Sequence, residues 1–410
     1  MKIVWISHFV PYPPRGGAPQ RSWNLIRGIA ANHSVHFAGL SLKTQQRTAG
    51  EYDEAREALS KICDGVTILR EGFHSSPPGK VMLGIRAILK RRSLYESWLI
   101  DSRTKRMAAE AIASHRPDLV HVDAGTISQV LPADYRGPAV LTHHDAVSHM
   151  MRRRIGLSRG LMRAVVAREA SLVGRMERRV APRFARHLVC SRLDGERLRE
   201  TAGEIEYTVI PNGVDTGFFR PTDDSEEPST VIFSGRMNQF ANEQSMLKFL
   251  RELWPALKDR VPGVRLVIAG MNPTKRLFAA AEGDESITIT GFLDDVRPHL
   301  TRATVYLCPI IYGGGTRLKI LDAMSMEKPI VATPIAAEGL DVTDGRDILL
   351  REFGPPFVEG IAQLLSSEEL RRKLAEEARL TAVREYDWGA IAAKLEDVYG
   401  EVISEYSREY

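Results

Sequence analysis

The chain has 410 residues, 43% of them apolar and 26% charged, which suits two or three domains of ordinary size and argues against a disordered or fibrous protein. Net charge is only +4, and the three cysteines, Cys63, Cys190 and Cys308, show no metal-ligand spacing, so neither a disulfide framework nor a zinc site is expected. No apolar run is long enough to cross a bilayer, and the opening MKIVWISHF is cut too soon by Pro11, Pro13 and Pro14 to read as a signal peptide, so a reducing cytoplasm is the expected compartment.

Residues 2–8, KIVWISH, read as a buried strand. A loop carrying Gly16 and Gly17 follows, then a helix through Trp23, Leu25, Ile26 and Ile29. Strand, glycine loop and helix make the first unit of a doubly wound sheet. The glycines are not spaced as G-x-G-x-x-G, which disfavours a nicotinamide dehydrogenase, but the pair still lets backbone approach a ligand closely. Further strands are expected at 33–42, 65–70, 118–124, 139–145, 186–191 and 207–211, with helical patterns between most of them. Such alternation implies a parallel sheet covered on both faces, with ligands at the carboxyl ends of its strands. His144 and Asp145 close the strand AVLTHHD and are therefore site candidates, with His143 and His149 as rival histidines. His121 lies inside its strand and reads as a core or lining residue.

Two segments of this first half are basic. From Arg152 to Arg186 there are eleven arginines against Glu169 and Glu177. Lys80 to Arg92 mixes Lys80, Arg86, Lys90, Arg91 and Arg92 with Val81, Met82, Leu83, Ile85, Ile88 and Leu89. Cations interleaved with apolar residues suit an anionic membrane surface, a solvated helix face being the bland alternative. Nucleic acid is disfavoured, because few aromatics stand among the arginines to stack on bases.

Near residue 211 the pattern breaks at Asn212-Gly213, and the acidic TDDSEEPST reads as an exposed linker. Strands are then expected at 229–236, 264–270, 287–293, 305–310, 329–334 and 347–352, so a second domain of similar construction faces the first across a cleft. In YGGGTRLKILDAMSMEKPIVATP, Gly313, Gly314 and Gly315 feed a helix with Leu318, Leu321 and Met324 at helical spacing. A glycine loop at a helix N-terminus is an anion site, and Thr316, Arg317 and Lys319 add a hydroxyl and two cations. Asp322 follows within reach of whatever the loop holds. The chain closes on a charged helical stretch from Ser366 and a last helix after Trp388.

IPNGVDTGFF, VIFSGR, VRLVIAG, ITITGFLDDV and GGGTRLKILDAMSMEKPIVAT occur in the order found in the retaining glycosyltransferases of family 4, and the chain resembles that family over nearly its whole length. Within it, the chain is most similar to the subgroup with a GGGTR-x-K loop, often associated with exopolysaccharide assembly. The resemblance implies a GT-B fold: two Rossmann-like doubly wound α/β domains, 1–208 on the acceptor side and 209–385 on the donor side, with residues 386–410 crossing back to the first. It implies metal-independent transfer of a sugar from a UDP- or GDP-linked donor, with retention of configuration and without a cofactor. The implied acceptor is a glycan or lipid-linked glycan in surface polysaccharide assembly. Arg236 matches the arginine on the diphosphate, a task that suits a forked guanidinium. The family's lysine five residues later is Ala241 here, so Arg317 or Lys319 is expected to supply the second cation. Phe292 resembles the residue holding the nucleobase. Asp322 takes the place of the second glutamate of the family's two-glutamate motif, the one on the ribose hydroxyls, while the first is replaced by Gly314. His144 matches the histidine lying over the donor sugar. Asp145 beside it would orient that ring or bond the acceptor, and Gly16, Gly17, Gly314, Gly315 and Thr316 would complete the donor site.

In this chemistry the departing phosphate oxygen can itself take the acceptor proton, so no separate strong base is required. The rival functions are a silent nucleotide-sugar-binding partner, glycosylation of a small natural product, and a GT-B epimerase or phosphorylase.

Overall fold

The strands form where apolar runs can be buried on both faces. In the computed structural model, which describes residues 1–42, 46, 48–70, 77–89, 91–313 and 315–409, five of the six residues of Lys2–Ser7 are buried, as are all six of Ala303–Cys308. That pattern belongs to a parallel sheet with helices on either side. Thirteen strands are present among the described residues: β1 Lys2–Ser7, β2 Ser34–Ser41, β3 Gly65–Arg70, β4 Leu119–Asp123, β5 Ala139–His143, β6 Arg186–Val189, β7 Tyr207–Val209, β8 Glu227–Ser234, β9 Arg265–Ala269, β10 Ile287–Gly291, β11 Ala303–Cys308, β12 Ile330–Ala332 and β13 Leu349–Leu350. The acidic stretch read as linker is strand from Glu227 onward.

The chain separates into two compact units, Met1–Pro211 with Ile391–Tyr410, and Asn212–Ala390. The first holds a parallel sheet in the order β3-β2-β1-β4-β5-β6-β7, the second one in the order β10-β9-β8-β11-β12-β13. Both wind outward from a central strand, return, and continue on its other side, as doubly wound sheets do.

In the first unit the helix Gly17–Ala30 buries Leu25, Ile26 and Ile29 together with two polar residues, Ser22 and Arg21. Arg21 is fully buried, and its guanidinium donates to Ile210 O at 2.7 Å and Pro211 O at 2.6 Å. The helix Trp388–Glu409 begins in the second unit, but from Ile391 it packs in the first. Its buried residues Ile391, Leu395, Val398, Tyr399 and Val402 recur at helical spacing. A Cβ on Gly28 would lie 2.4 Å from Ala392 Cβ, so the close packing of these two helices requires glycine there. Within the sheet, His121 stacks on Trp5, hydrogen-bonds Thr142 Oγ1 at 2.7 Å and meets the Tyr399 hydroxyl. It is a core histidine.

The second unit repeats the scheme. Tyr306 of β11 is fully buried, with its hydroxyl 3.0 Å from Ser234 Oγ of β8. The helix Leu318–Ser325 buries Ile320, Leu321, Ala323 and Met324 and leads into β12.

Candidate functional site

The first sheet turns back between β1 and β4, so groups at the carboxyl ends of these strands line the crevice that the reversal opens. Ser7 and Asp123 are register partners there. Asp123 is fully buried, and a buried carboxylate is costly unless it is paired and hydrogen-bonded. Its Oδ2 accepts from Ser22 Oγ at 2.6 Å, Trp5 Nε1 at 3.2 Å and Ser7 Oγ at 3.4 Å, and its Oδ1 faces His144 Nε2 at 3.1 Å. Burial pushes its pKa up, but the charge of His144, with help from His121 and Ser22, outweighs this and leaves it at about 2. Asp123 therefore stays ionised beside the His144 ring, a contact at ion-pair distance without the alignment of a hydrogen bond.

His144 sits in the bend after β5, which ends one residue earlier, at His143. The carboxylate paired with it is Asp123; Asp145, which the sequence offered for that task, is exposed in the same bend. His143 is buried and pairs with His187 at 3.0 Å as part of the core, and His149 lies in the following helix. Gly16, at φ 99°, precedes the helix Gly17–Ala30, whose start has no side-chain cap and no acid in its first turn. Its first N–H groups are thus open to an anion, and Ser22 of the same helix ties it to Asp123 and so to His144. His8, just past β1, is held neutral: burial first, then the nearby His144, lowers its pKa to about 4. Its Nδ1 is buried with no hydrogen-bond partner among the described residues.

In the second unit the sheet turns back between β8 and β11. Leaving β8, Gly235 crosses Gly270 so closely that a Cβ on Gly270 would lie 1.9 Å from Gly235 O. A Cβ on Gly235 would lie 2.5 Å from Lys319 Nζ, so this glycine leaves the space into which the lysine runs. Lys319 Nζ donates to Asn242 Oδ1 at 2.9 Å and stands 4.1 Å from the centre of the Phe233 ring. Asn242 Nδ2 in turn donates to Arg236 O at 2.8 Å. The Arg236 side chain itself is exposed and has no hydrogen-bond or ion-pair partner among the described residues. Burial lowers the Lys319 pKa to about 8, which leaves the amine mainly charged at neutral pH.

Ala241 lies beneath the glycine loop, since a Cβ on Gly313 would come within 3.8 Å of Ala241 Cβ. Gly313 and Gly315 have φ of 93° and 81°, while Gly314 lies outside the described residues. Arg317 spans the loop and donates to Tyr312 O at 3.0 Å. Thr316 Oγ1 is buried with no hydrogen-bond partner among the described residues. The helices Phe240–Glu252 and Leu318–Ser325 both start here without a side-chain cap. Two helix N-termini, a held lysine, an exposed arginine and an unsatisfied hydroxyl are groups whose chemistry suits a multiply charged anion. Asp322, one turn beyond Lys319, is half-buried and its carboxyl has no hydrogen-bond partner among the described residues. Burial raises its pKa to about 7 against the pull of Lys319. Phe292 follows β10, the outermost strand, and is 66% exposed, two strands from β8 and thus apart from the loop cluster.

Asp123, His8, Ser22 and Asn242 were not found by sequence reasoning. Asp123 had a usable signal, an acid closing an apolar parallel strand; Asn242 had none, being one polar residue in an amphipathic helix. Among the described residues no group of three His, Cys, Asp or Glu side chains comes together as metal ligands.

Two doubly wound parallel-sheet units, each with groups gathered where its sheet reverses, define a GT-B fold, and solved structures of that fold agree. Sucrose-phosphate synthase from Thermosynechococcus elongatus matches with a TM-score of 0.71 at 16% identity, over 99% of this chain and 100% of that one. Anabaena HepE, solved in complex with UDP and glucose, matches with a TM-score of 0.66 at 14% identity, over 98% and 100%. A family model described as Glycosyltransferase Family 4 matches residues 15–218, and one described as Glycosyl transferases group 1 matches residues 228–367. The chain is 25% identical over 312 residues to the phosphatidyl-myo-inositol mannosyltransferase of Mycobacterium tuberculosis, covering 72% of this chain and 77% of that protein. It is 26% identical over 186 residues to the D-inositol 3-phosphate glycosyltransferase of Corynebacterium diphtheriae, 42% of each chain. The protein is a GT-B glycosyltransferase of the family-4 and group-1 kind.

Proposed function

We propose that the protein is a retaining, metal-independent transferase of the GGGTR-x-K subgroup. It moves a hexosyl residue from a UDP- or GDP-linked sugar to a hydroxyl of a glycan or lipid-linked glycan in surface polysaccharide assembly. The observation that carries this is the anion site of the second unit, where Asn242 holds Lys319 beside the glycine loop and Thr316 Oγ1 is left buried and unsatisfied. Lys319 supplies the cation that the family carries at the position of Ala241. The leaving diphosphate gains negative charge as the glycosidic bond breaks. Lys319, Arg236, Arg317 and the two helix N-termini neutralise that charge in a site that needs no reorganisation. The departing phosphate oxygen takes the acceptor proton as the acceptor oxygen attacks from the same face. Asp322 accepts from the ribose hydroxyls, and Phe292 offers an exposed ring to the base. His144, paired with Asp123, bonds a sugar hydroxyl and stabilises positive charge at the anomeric carbon.

Two relatives bear on donor and acceptor. HepE was solved with UDP and glucose, and the mycobacterial relative carries mannosyl transfer and phosphatidyl-myo-inositol in its name. The test is a screen of nucleotide sugars with the purified protein. Slow release of UDP or GDP without acceptor, faster with a polyprenyl-linked glycan, is the expected result. An altered sugar on an intact nucleotide would overturn the assignment in favour of an epimerase. Binding without turnover under all conditions would do so in favour of a silent partner.

A further inference from the structure

The arginine run from Arg152 to Arg186 divides in the structure. Its later members are held inside the first unit. Arg179 pairs with Glu96 at 2.6 Å, Arg183 donates to the carbonyls of Leu131 and Pro132 at 2.9 and 2.8 Å, and Arg186 pairs with Glu405 at 2.9 Å. Four of the earlier members are not held in this way. The helices Val147–Leu157 and Gly160–Val180 pack along one another as a hairpin, and its tip stands in solvent. The side chains of Arg152, Arg154, Arg159 and Arg163 are exposed there, and their guanidinium groups have no hydrogen-bond or ion-pair partner among the described residues. No acidic residue occurs between Asp145 and Glu169, and Glu169 is turned inward, where it accepts from Leu94 N–H at 2.7 Å and from Arg168 at 2.8 Å.

Apolar side chains stand out among these cations. Leu161 is 83% exposed, and Val165, one turn on, shares its face of the helix. The bond from Leu94 to Glu169 brings a second such element alongside. Pro77–Leu89 is followed by the short helix Leu94–Trp98, which packs against both Pro77–Leu89 and Gly160–Val180. Met82, Ile85 and Leu89, three and four residues apart, are exposed on one face of Pro77–Leu89. Single exposed apolar residues are ordinary on a protein surface, but two helices joined through Leu94–Trp98 that each show several, one of them beside unpaired arginines, are not.

We propose that the hairpin tip, together with the apolar face of Pro77–Leu89, docks the first unit onto an anionic lipid bilayer. The arginines lie at headgroup phosphates, and Leu161, Met162 and Leu89 enter the acyl boundary. Charge selects this occupant. The hairpin carries no acid of its own from residue 146 to 168, so its cationic tip repels a second copy of itself, and aliphatic side chains cannot stack on bases as a nucleic-acid site requires. Among the described residues no helix is long and apolar enough to cross a membrane, so the contact is with the surface. Docking would deliver the enzyme to the lipid-linked acceptor proposed above, and only that purpose rests on the transferase assignment.

The test is co-sedimentation of the full chain with phosphatidylcholine vesicles with and without 30% phosphatidylglycerol. Variants are Arg152→Gln, Arg154→Gln, Arg159→Gln and Arg163→Gln combined, Leu161→Ser with Leu89→Ser, and Arg251→Gln in the second unit as control. Binding should need the anionic lipid and should weaken about fivefold per arginine removed. It should fall in the serine variant also, and stay unchanged in the control. Equal binding to neutral vesicles, binding unaffected by both sets of substitutions, or no binding at all would overturn the proposal. So would a dimer in solution that the serine substitutions dissociate. Release of nucleotide from a soluble donor sugar, measured in the same preparations, should persist in every variant. Its absence from the unmodified protein would count against the transferase assignment and leave the docking result standing.

Discussion

Asp322→Asn measures what the proposed donor site costs the fold. Burial carries the Asp322 pKa from the ordinary 3.8 to about 7. Below about pH 4 the folded and unfolded chains both hold the proton, and the residue leaves stability unchanged. Between about pH 4 and 7 the unfolded chain releases its proton while the folded chain keeps it, so stability falls as pH rises. Above about pH 7 the loss is complete. At about 1.4 kcal/mol per pKa unit the full loss is about 4 kcal/mol. Two effects reduce it: the residue keeps part of its surface in water, and its removal deprives Lys319 of an attraction. The amide should therefore stabilise the free protein by about 1–2 kcal/mol at pH 8, with no gain at pH 4. In thermal melts that is about 2–4 °C per kcal/mol for a unit of this size. The same variant should bind UDP or GDP at least about tenfold more weakly in calorimetry, as expected for lost charge-assisted hydrogen bonds. Equal melting temperatures at pH 8 would refute the buried-charge argument, and unchanged nucleotide affinity would refute the ribose assignment.

Other outcomes follow from the same groups. Nucleotide affinity should rise with pH through about 7 as Asp322 ionises, then fall above about 8 as Lys319 loses its proton; Lys319→Arg should abolish the alkaline fall, and Lys319→Met should weaken binding about tenfold or more at neutral pH, the difference shrinking above about 8. His144→Ala should lower kcat by about 100-fold while leaving nucleotide affinity within about twofold, as steady-state kinetics and calorimetry would show. Asp123→Asn, which removes a fully buried carboxylate from the partly buried His144 and from its three hydrogen-bond donors, should cost about 3 kcal/mol in denaturant unfolding and lower kcat besides. EDTA should leave turnover unchanged; restoration of activity by added magnesium or manganese would contradict the charge neutralisation assigned to Lys319, Arg317 and Arg236.

The strands were legible because each is a short apolar run covered on both faces, and burial is what apolar runs report. Gly65–Arg70 has the bounds read from the sequence, and the other strands differ by a few residues at their ends, where hydrogen bonding rather than hydrophobicity decides. The glycine loop was legible because positive φ and a helix start leave a compositional mark. What could not be read is which side-chain ends meet. Asp123 and His144 are 21 residues apart and come together only because β4 and β5 are neighbours in a parallel sheet. Lys319 and Asn242, 77 residues apart, meet only because Gly235 leaves room. Counting arginines could not separate Arg163, free at a hairpin tip, from Arg183, which satisfies two carbonyls.

The return of the last helix to the first unit sets an order of events during synthesis. Residues Met1–Pro211 are synthesised before the second unit, yet His121 obtains Tyr399, and Gly28 obtains Ala392, only when the residues after Ile391 follow it. Until then the nascent first unit lacks Ile391, Leu395, Val398 and Val402. Each such buried side chain contributes about 1.5–3 kcal/mol, together a sum comparable with the whole stability of a domain. The first unit is thus begun first and finished last. A ribosome stalled within the second unit would present a first unit with an open apolar seam, a target for chaperones and proteases.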